Sequence, residues 1–390
     1  MQLKLVFLAL LGCLALSNGS SAIAQGQVEL LRTPEGGIQP QAAVDAKGVV
    51  HLIYYQGDPG GGDIFYVRRP PGQVEFSKPV KVNSQGGGAV AMGTIRGAQL
   101  AIGKGGRVHV VWDGMGKGAR RVSVGGKDVA PLFYTRLNDE GTGFETERNL
   151  ISYAAGLDGG SSVAADPQGN VYVAWHAPQP GNTNEDAGRA VFISLSQDEG
   201  RTFQRETLAI SKQTGACPCC GMRAFADTTG AIYILFRSAA DELNRDALLL
   251  VAKRPGAEFQ IAYSDKWRVS TCPMSSATLS QVEGGALAAW ETAGQVYCAT
   301  VNSGDLKVST PLSPPGQAVR KHPVAVRNKK GETLLVWTEG TTWGKGGMVA
   351  WQIYGSNGNP TSEKGRAEGV PAWSLATACA THEGQFLIVF

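Results

Sequence analysis

The stretch Val163-Ala164-Ala165-Asp166-Pro167-Gln168-Gly169-Asn170-Val171-Tyr172-Val173-Ala174-Trp175 places two apolar runs on either side of a polar turn. Asp, Pro and Gly between apolar runs specify a tight reversal, so the segment predicts a β-hairpin. The pattern recurs seven times, as a glycine, a mostly apolar or β-branched run and an aromatic six positions after the glycine. The pairs are Gly48 and Tyr54, Gly106 and Trp112, Gly169 and Trp175, Gly230 and Phe236, Gly284 and Trp290, Gly331 and Trp337, and Gly384 and Phe390. Successive glycines are 47 to 63 residues apart, the period range of a propeller blade.

After most hairpins come two more strand-like runs, clearest at 190–195 and 203–210. Four strands per unit with no useful helix-period segment predict an all-β chain, a β-propeller of four-stranded blades, seven favoured over six. The chain ends on the second strand of its seventh hairpin, while Val28 to Arg32 has no hairpin of its own. Pairing the two termini in one composite blade of three strands would close the ring and remove free sheet edges.

Composition agrees with a folded, glycine-rich chain. Its 390 residues carry 43% hydrophobic and 18% charged side chains with 52 Gly. A formal charge of +3, from 36 Lys+Arg against 33 Asp+Glu, gives no basic surface for nucleic acid. Residues 1–24 read as a signal peptide: Lys4, an apolar run from Leu5 to Leu16, and the A-x-A site Ala22-Ile23-Ala24. The expected product is a soluble secreted or periplasmic monomer, one domain over 25–390 with no membrane span. Leu10-Leu11-Gly12-Cys13 offers the competing reading of a lipoprotein anchored at Cys13.

The turn between the third and fourth strands of the third unit reads Ser196-Gln197-Asp198-Glu199-Gly200-Arg201-Thr202-Phe203, the S-x-D-x-G-x-T-F pattern of an Asp-box (BNR repeat). Degenerate copies stand at Asn138–Phe144, Pro71–Phe76 and Pro255–Phe259. With these turns and hairpins such as Asp166 to Trp175, the chain resembles the sialidase (neuraminidase) superfamily over essentially all of 25–390. The resemblance implies a propeller fold and a glycosidase-type site: three arginines on the substrate carboxylate, a Tyr/Glu nucleophile pair and an Asp acid/base.

Several positions depart from that pattern. Gln39 stands where the first arginine is expected, Arg237 occupies the second position, and 291–295 contains no third. His322 replaces the tyrosine, and Glu339 follows one position late. Asp58 and Asp63 are the counterparts of the acid/base. The expectation is therefore a sialidase-like propeller that binds a glycan or small anionic ligand, with Tyr-dependent sialic-acid hydrolysis doubtful. The alternatives are a periplasmic soft-metal (Cu or Zn) or redox protein centred on the Cys217-Pro218-Cys219-Cys220 run, and a non-catalytic binding propeller.

Residues seven after each turn glycine should gather at one axial rim: Tyr55, Asp113, His176, Arg237, Glu291 and Thr338, joined by Arg96, Arg223, Lys321 and His322 from strand starts. Such a ring is either a solvated set of mutually paired charges or a ligand pocket. Cys217-Pro218-Cys219-Cys220 opens the fourth unit and Cys272-Pro273 the fifth. Their four sulfurs could meet on that rim, as structural disulfides in an oxidising compartment, as a soft-metal (Cu or Zn) site, or as redox-active thiols.

Overall fold

The computed structural model describes residues 23–182, 184–241 and 243–390. Most of the expected signal segment, including Cys13, lies outside the described residues.

Seven sheets surround one axis, antiparallel throughout except for one parallel pair in the last. Their innermost strands are Ile38–Val44, Gln99–Ile102, Ser162–Ala165, Arg223–Ala226, Thr278–Val282, Arg320–Arg327 and Thr377–Ala380, each packed against the next and the last against the first. The second strands are Val50–Asp58, Val108–Asp113, Val171–Pro178, Ile232–Arg237, Gly285–Thr292, Thr333–Glu339 and Phe386–Val389. The sheets are numbered as blades one to seven in that order. Among the described residues the only helical segments are two 3-10 turns, Pro34–Gly36 and Lys104–Gly106.

Each inner hairpin is built as its sequence dictates. The turn glycines all adopt positive φ, from +69° at Gly284 to +102° at Gly169, a region closed to most side chains. Asp166 Oδ1 accepts from the backbone N–H of Gln168, Gly169 and Asn170 at 2.9–3.0 Å, and Asp45, Asp227 and Asn328 hold their own turns in the same way. The repeated aromatics are core residues, all 5% exposed or less. At about 25 cal/mol per Å² of buried apolar surface, each contributes on the order of 2–3 kcal/mol.

Composite closure is present. Val28–Leu31 pairs in parallel with Phe386–Val389, Val28 opposite Phe386. Thr33 N–H donates to the Phe390 carbonyl at 3.0 Å, and the Arg32 guanidinium lies 4.2 Å from the Phe390 ring centre. The composite blade holds four strands rather than three, because Ile23–Gln25 adds an outer strand antiparallel to Val28–Leu31. Those residues read in the sequence as the end of a leader, which hid their strand character.

The Asp-box works as an inter-blade clamp. Asp198 accepts from the Thr202 N–H at 2.9 Å and the Thr202 hydroxyl at 2.6 Å, which directs Phe203 edge-on against Tyr134 of blade two at 4.7 Å. The Glu199 carbonyl accepts from Arg136 of the same neighbour at 2.9 Å. One blade earlier, Asn138 organises the degenerate copy and Phe144 meets Tyr66 of blade one.

Candidate functional site

Strand pairing places the starts of inner strands beside the ends of second strands, as Ile38 opposite Tyr55 and Lys321 opposite Thr338. The rim built this way is mostly interior. Arg237 is 4% exposed. Its Nε donates to Ser275 Oγ at 2.7 Å, Nη1 to the Arg245 carbonyl at 2.6 Å and Nη2 to the Glu291 carbonyl. Its guanidinium also lies 4.7 Å from the Trp267 ring centre. Arg237 thus ties blade four to blade five, and three of its five N–H donors are committed to that tie.

Glu291 lies beside it, 3.1 Å from Lys321 Nζ, with Oε2 unpartnered among the described residues. Burial pushes its carboxyl up to about 7 against the opposing pull of Lys321 and Arg237. Asp113 has neither carboxylate oxygen hydrogen-bonded among the described residues; burial raises it well above the usual range, opposed by Arg96 and Arg189. His176 is held neutral, its pKa drawn down to about 3 by burial and by Arg189, whose Nη2 lies 3.0 Å from Nδ1. Thr338 bonds Thr341 at 2.8 Å.

The cysteines do converge. Cys219 and Cys272 form a disulfide with Cα atoms 6.4 Å apart, while Cys217 and Cys220 are free and buried. Cys217 Sγ is 3.3 Å from Cys219 Sγ, and Ser275 Oγ lies 3.5 Å from Cys220 Sγ. Burial would raise both thiols. At Cys220 the hydrogen bond from Cys217, the nearby Arg237 and Ser275 outweigh it and favour thiolate, while Cys217 is pushed up by the Cys220 sulfur and by burial. The Sγ atoms of Cys217, Cys219 and Cys220 lie within 4.8 Å of one another, a spacing that could hold a metal ion, with Cys219 already committed to the disulfide.

The other candidate residues stand apart from this cluster. Asp63 accepts from Asn83 and the Gly87 N–H and pairs with Lys81 at 2.8 Å. Asp58 caps the Gly60 N–H at 2.8 Å beside exposed Lys117. Glu339 accepts from Trp337 Nε1 at 2.8 Å between Arg320 and Arg366. His322 is buried at a strand bulge with φ +53°, its Nδ1 3.1 Å from Ser276 Oγ, and burial draws it down to about 3. Gln39 occupies the matching bulge of blade one, also at φ +53°, and donates to the Ala91 and Trp373 carbonyls. Arg223 points across the axis rather than to solvent, donating to Gln41 and Gln99.

An aromatic pair on the rim loops escaped the sequence reading. Trp343, between the second and third strands of blade six, is 51% exposed. It meets Trp373, in the loop leading to blade seven, edge-on at 5.0 Å and 89°. A methyl group at Gly93 would sit 2.6 Å from Arg96 Nη1 and 3.1 Å from Trp343 Cζ3, so the guanidinium and the indole flank the same glycine. Arg96 is anchored by Asp158, at 2.5 Å through its carboxylate and 2.9 Å through its carbonyl, and by the Met92 carbonyl at 3.0 Å. Two of its five N–H donors remain uncommitted.

No protein-family model matches the chain, and no curated protein matches it. Solved structures do. The Hadza microbial sialidase Hz136 superposes with a TM-score of 0.53 at 15% identity, over 85% of this chain and 71% of that one. A protein of unknown function from Dyadobacter fermentans DSM 18053 gives 0.51 at 14%, over 81% and 94%. The chain has a sialidase-like propeller fold. A GH93 α-L-arabinofuranosidase of Fusarium graminearum also matches, at a TM-score of 0.48 and 10% identity, over 85% of this chain and 93% of that one. At these identities the likeness concerns the fold, and activity has to be argued from the residues above.

Proposed function

We propose that this sialidase-like propeller binds an anionic glycan at the rim without cleaving it by tyrosine-dependent chemistry. The observation that carries this reading is the exposed Trp343 indole, braced by Trp373 and set beside Arg96. A sugar ring presents polarised C–H groups that suit an indole face, and the two free Arg96 donors suit a carboxylate or sulfate. Asp58, Asp63, Glu339 and His322, the groups expected to do bond cleavage, are each engaged by other protein groups. Calorimetric titration of the purified protein with sialyllactose and with lactose tests this. The reading expects sialyllactose to bind more tightly than lactose and Trp343→Ala to weaken it at least tenfold. No difference between the two sugars, or no effect of Trp343→Ala, would overturn it.

A second reading rests on the 3.3 Å separation of Cys217 Sγ and Cys219 Sγ. To act as a nucleophile in contact with the disulfide sulfur, Cys217 must lose its proton to the Cys220 thiolate against the electrostatic preference for holding it on Cys217. Attack on Cys219 forms a Cys217–Cys219 bond, breaks Cys219–Cys272 and releases Cys272 as thiolate, with no external oxidant. Peptide mapping after alkylation at pH 5 and pH 8 tests it, because exchange predicts a mixture of pairings at the higher pH and a fixed staple predicts Cys219–Cys272 at both.

A further inference from the structure

The seven innermost strands enclose an axial cavity of about 620 Å³, within the roughly 300–1,000 Å³ typical of small-molecule sites. Its wall is aliphatic, with Ala101, Val163, Ala165, Ala226, Leu279 and Val326 among the lining residues. The mouth is on the hairpin-turn face, between Asp45, Lys47, Gly105, Pro167 and Thr228, at the opposite end of the axis from the rim. At the inner end the adjoining space, lined by Gln39, Gly97, Gly221 and His322, narrows to about 30 Å³, which leaves the cavity all but blind toward the rim.

Arg223 stands at that blind end. It opens the inner strand of blade four, and its guanidinium reaches across the axis to Gln41 Oε1 at 2.5 Å and to Gln99 Oε1. Both acceptors are neutral amides. Its Nε has no partner among the described residues. Burial draws its pKa down to about 10, and no carboxylate among the described residues opposes it. An ion enclosed without a counter-charge is strongly disfavoured, and a cation held at the end of an aliphatic tube matches an anion with an apolar tail.

We infer that the axial cavity binds an amphiphilic monocarboxylate, entering from the turn face, with its headgroup on Arg223 and its alkyl chain along the aliphatic wall. This site is independent of the rim reading, because it opens on the turn face and involves neither Trp343 nor Arg96. Guanidinium and carboxylate match as a two-point, charge-assisted pair, and each added methylene should tighten binding roughly fourfold.

The probes are acetate, octanoate, decanoate and decanol, titrated into the purified protein by calorimetry. The inference expects decanoate to bind at least tenfold tighter than decanol, octanoate roughly fifteenfold weaker than decanoate (two methylenes), and acetate not at all in the same range. Arg223→Gln should remove the preference for acid over alcohol. Ala101→Phe, which narrows the cavity and leaves Arg223 in place, should weaken decanoate at least tenfold, and it keeps the test decisive if Arg223→Gln does not fold. Equal binding of decanol and decanoate, binding of acetate as tight as that of decanoate, or full decanoate affinity in Ala101→Phe would each overturn it.

Discussion

Cys217 Sγ lies 3.3 Å from Cys219 Sγ, whose own bond runs to Cys272 in the loop before the next blade. The cross-link spans 53 residues of sequence and joins the loops that open blades four and five, close to where Arg237 donates to the Glu291 carbonyl. This corner of the rim is therefore stitched both covalently and by a buried guanidinium.

Cys272→Ser should lower stability by about 2–4 kcal/mol, the usual loss for a loop of this size. Urea denaturation monitored by tryptophan fluorescence measures it. Peptide mapping of the same variant should find Cys219 paired with Cys217 or Cys220, since those sulfurs are already adjacent. An unpaired Cys219 under oxidising conditions would show that the observed proximity does not permit rearrangement.

Glu291 gives a pH signature. Burial raises its carboxyl in the fold to about 7 from an ordinary 4.5, with Lys321 and Arg237 opposing. Between those values the folded protein holds a proton that the unfolded chain does not, so this group's contribution is fully present below pH 4.5 and is lost as pH rises through 7. Glu291→Gln should match the wild type near pH 4.5 and exceed it by up to about 3 kcal/mol above pH 7.5. Urea midpoints of both proteins across that range check the sign; a constant offset would show that Glu291 ionises normally.

Gly200 tests the clamp between blades two and three. It adopts φ +79°, and a Cβ there would overlap the Tyr134 hydroxyl, which bonds His109 Nδ1 at 2.7 Å. Gly200→Ala combines left-handed strain with a clash in a packed core, so a loss of about 2–4 kcal/mol is expected. The thermal midpoint of the variant reads it out. A change below about 0.5 kcal/mol would mean that the Asp-box turn is not locked against blade two.

The ring of blades was legible because its signals are local. A turn needing positive φ selects glycine, an aromatic six positions on packs between sheets, and both recur at every blade from Gly48 to Phe390. The termini were partly legible: Val28–Leu31 declared itself as an orphan strand, but Ile23–Gln25 carried the small residues of a cleavage site. The rim was the hardest to read. Counting from Gly230 locates Arg237 correctly at a strand end, yet only the fold shows its guanidinium turned inward onto Ser275 and two carbonyls. Trp343 and Trp373 sit in loops outside the repeat, where periodicity gives no signal, and they meet only because blades six and seven are neighbours. Arg223 was counted with the rim for its strand-start position, and nothing in the sequence says that it lies across the axis.

The most direct test of the account is turnover of a fluorogenic sialoside by the purified protein. Gln39 stands in place of one expected arginine, three of the five Arg237 donors are committed within the protein, and His322 occupies the tyrosine position with its imidazole buried against Ser276. The account predicts release of the fluorophore at background rate, unchanged by Arg237→Ala. Efficient release that Arg237→Ala abolishes would contradict it.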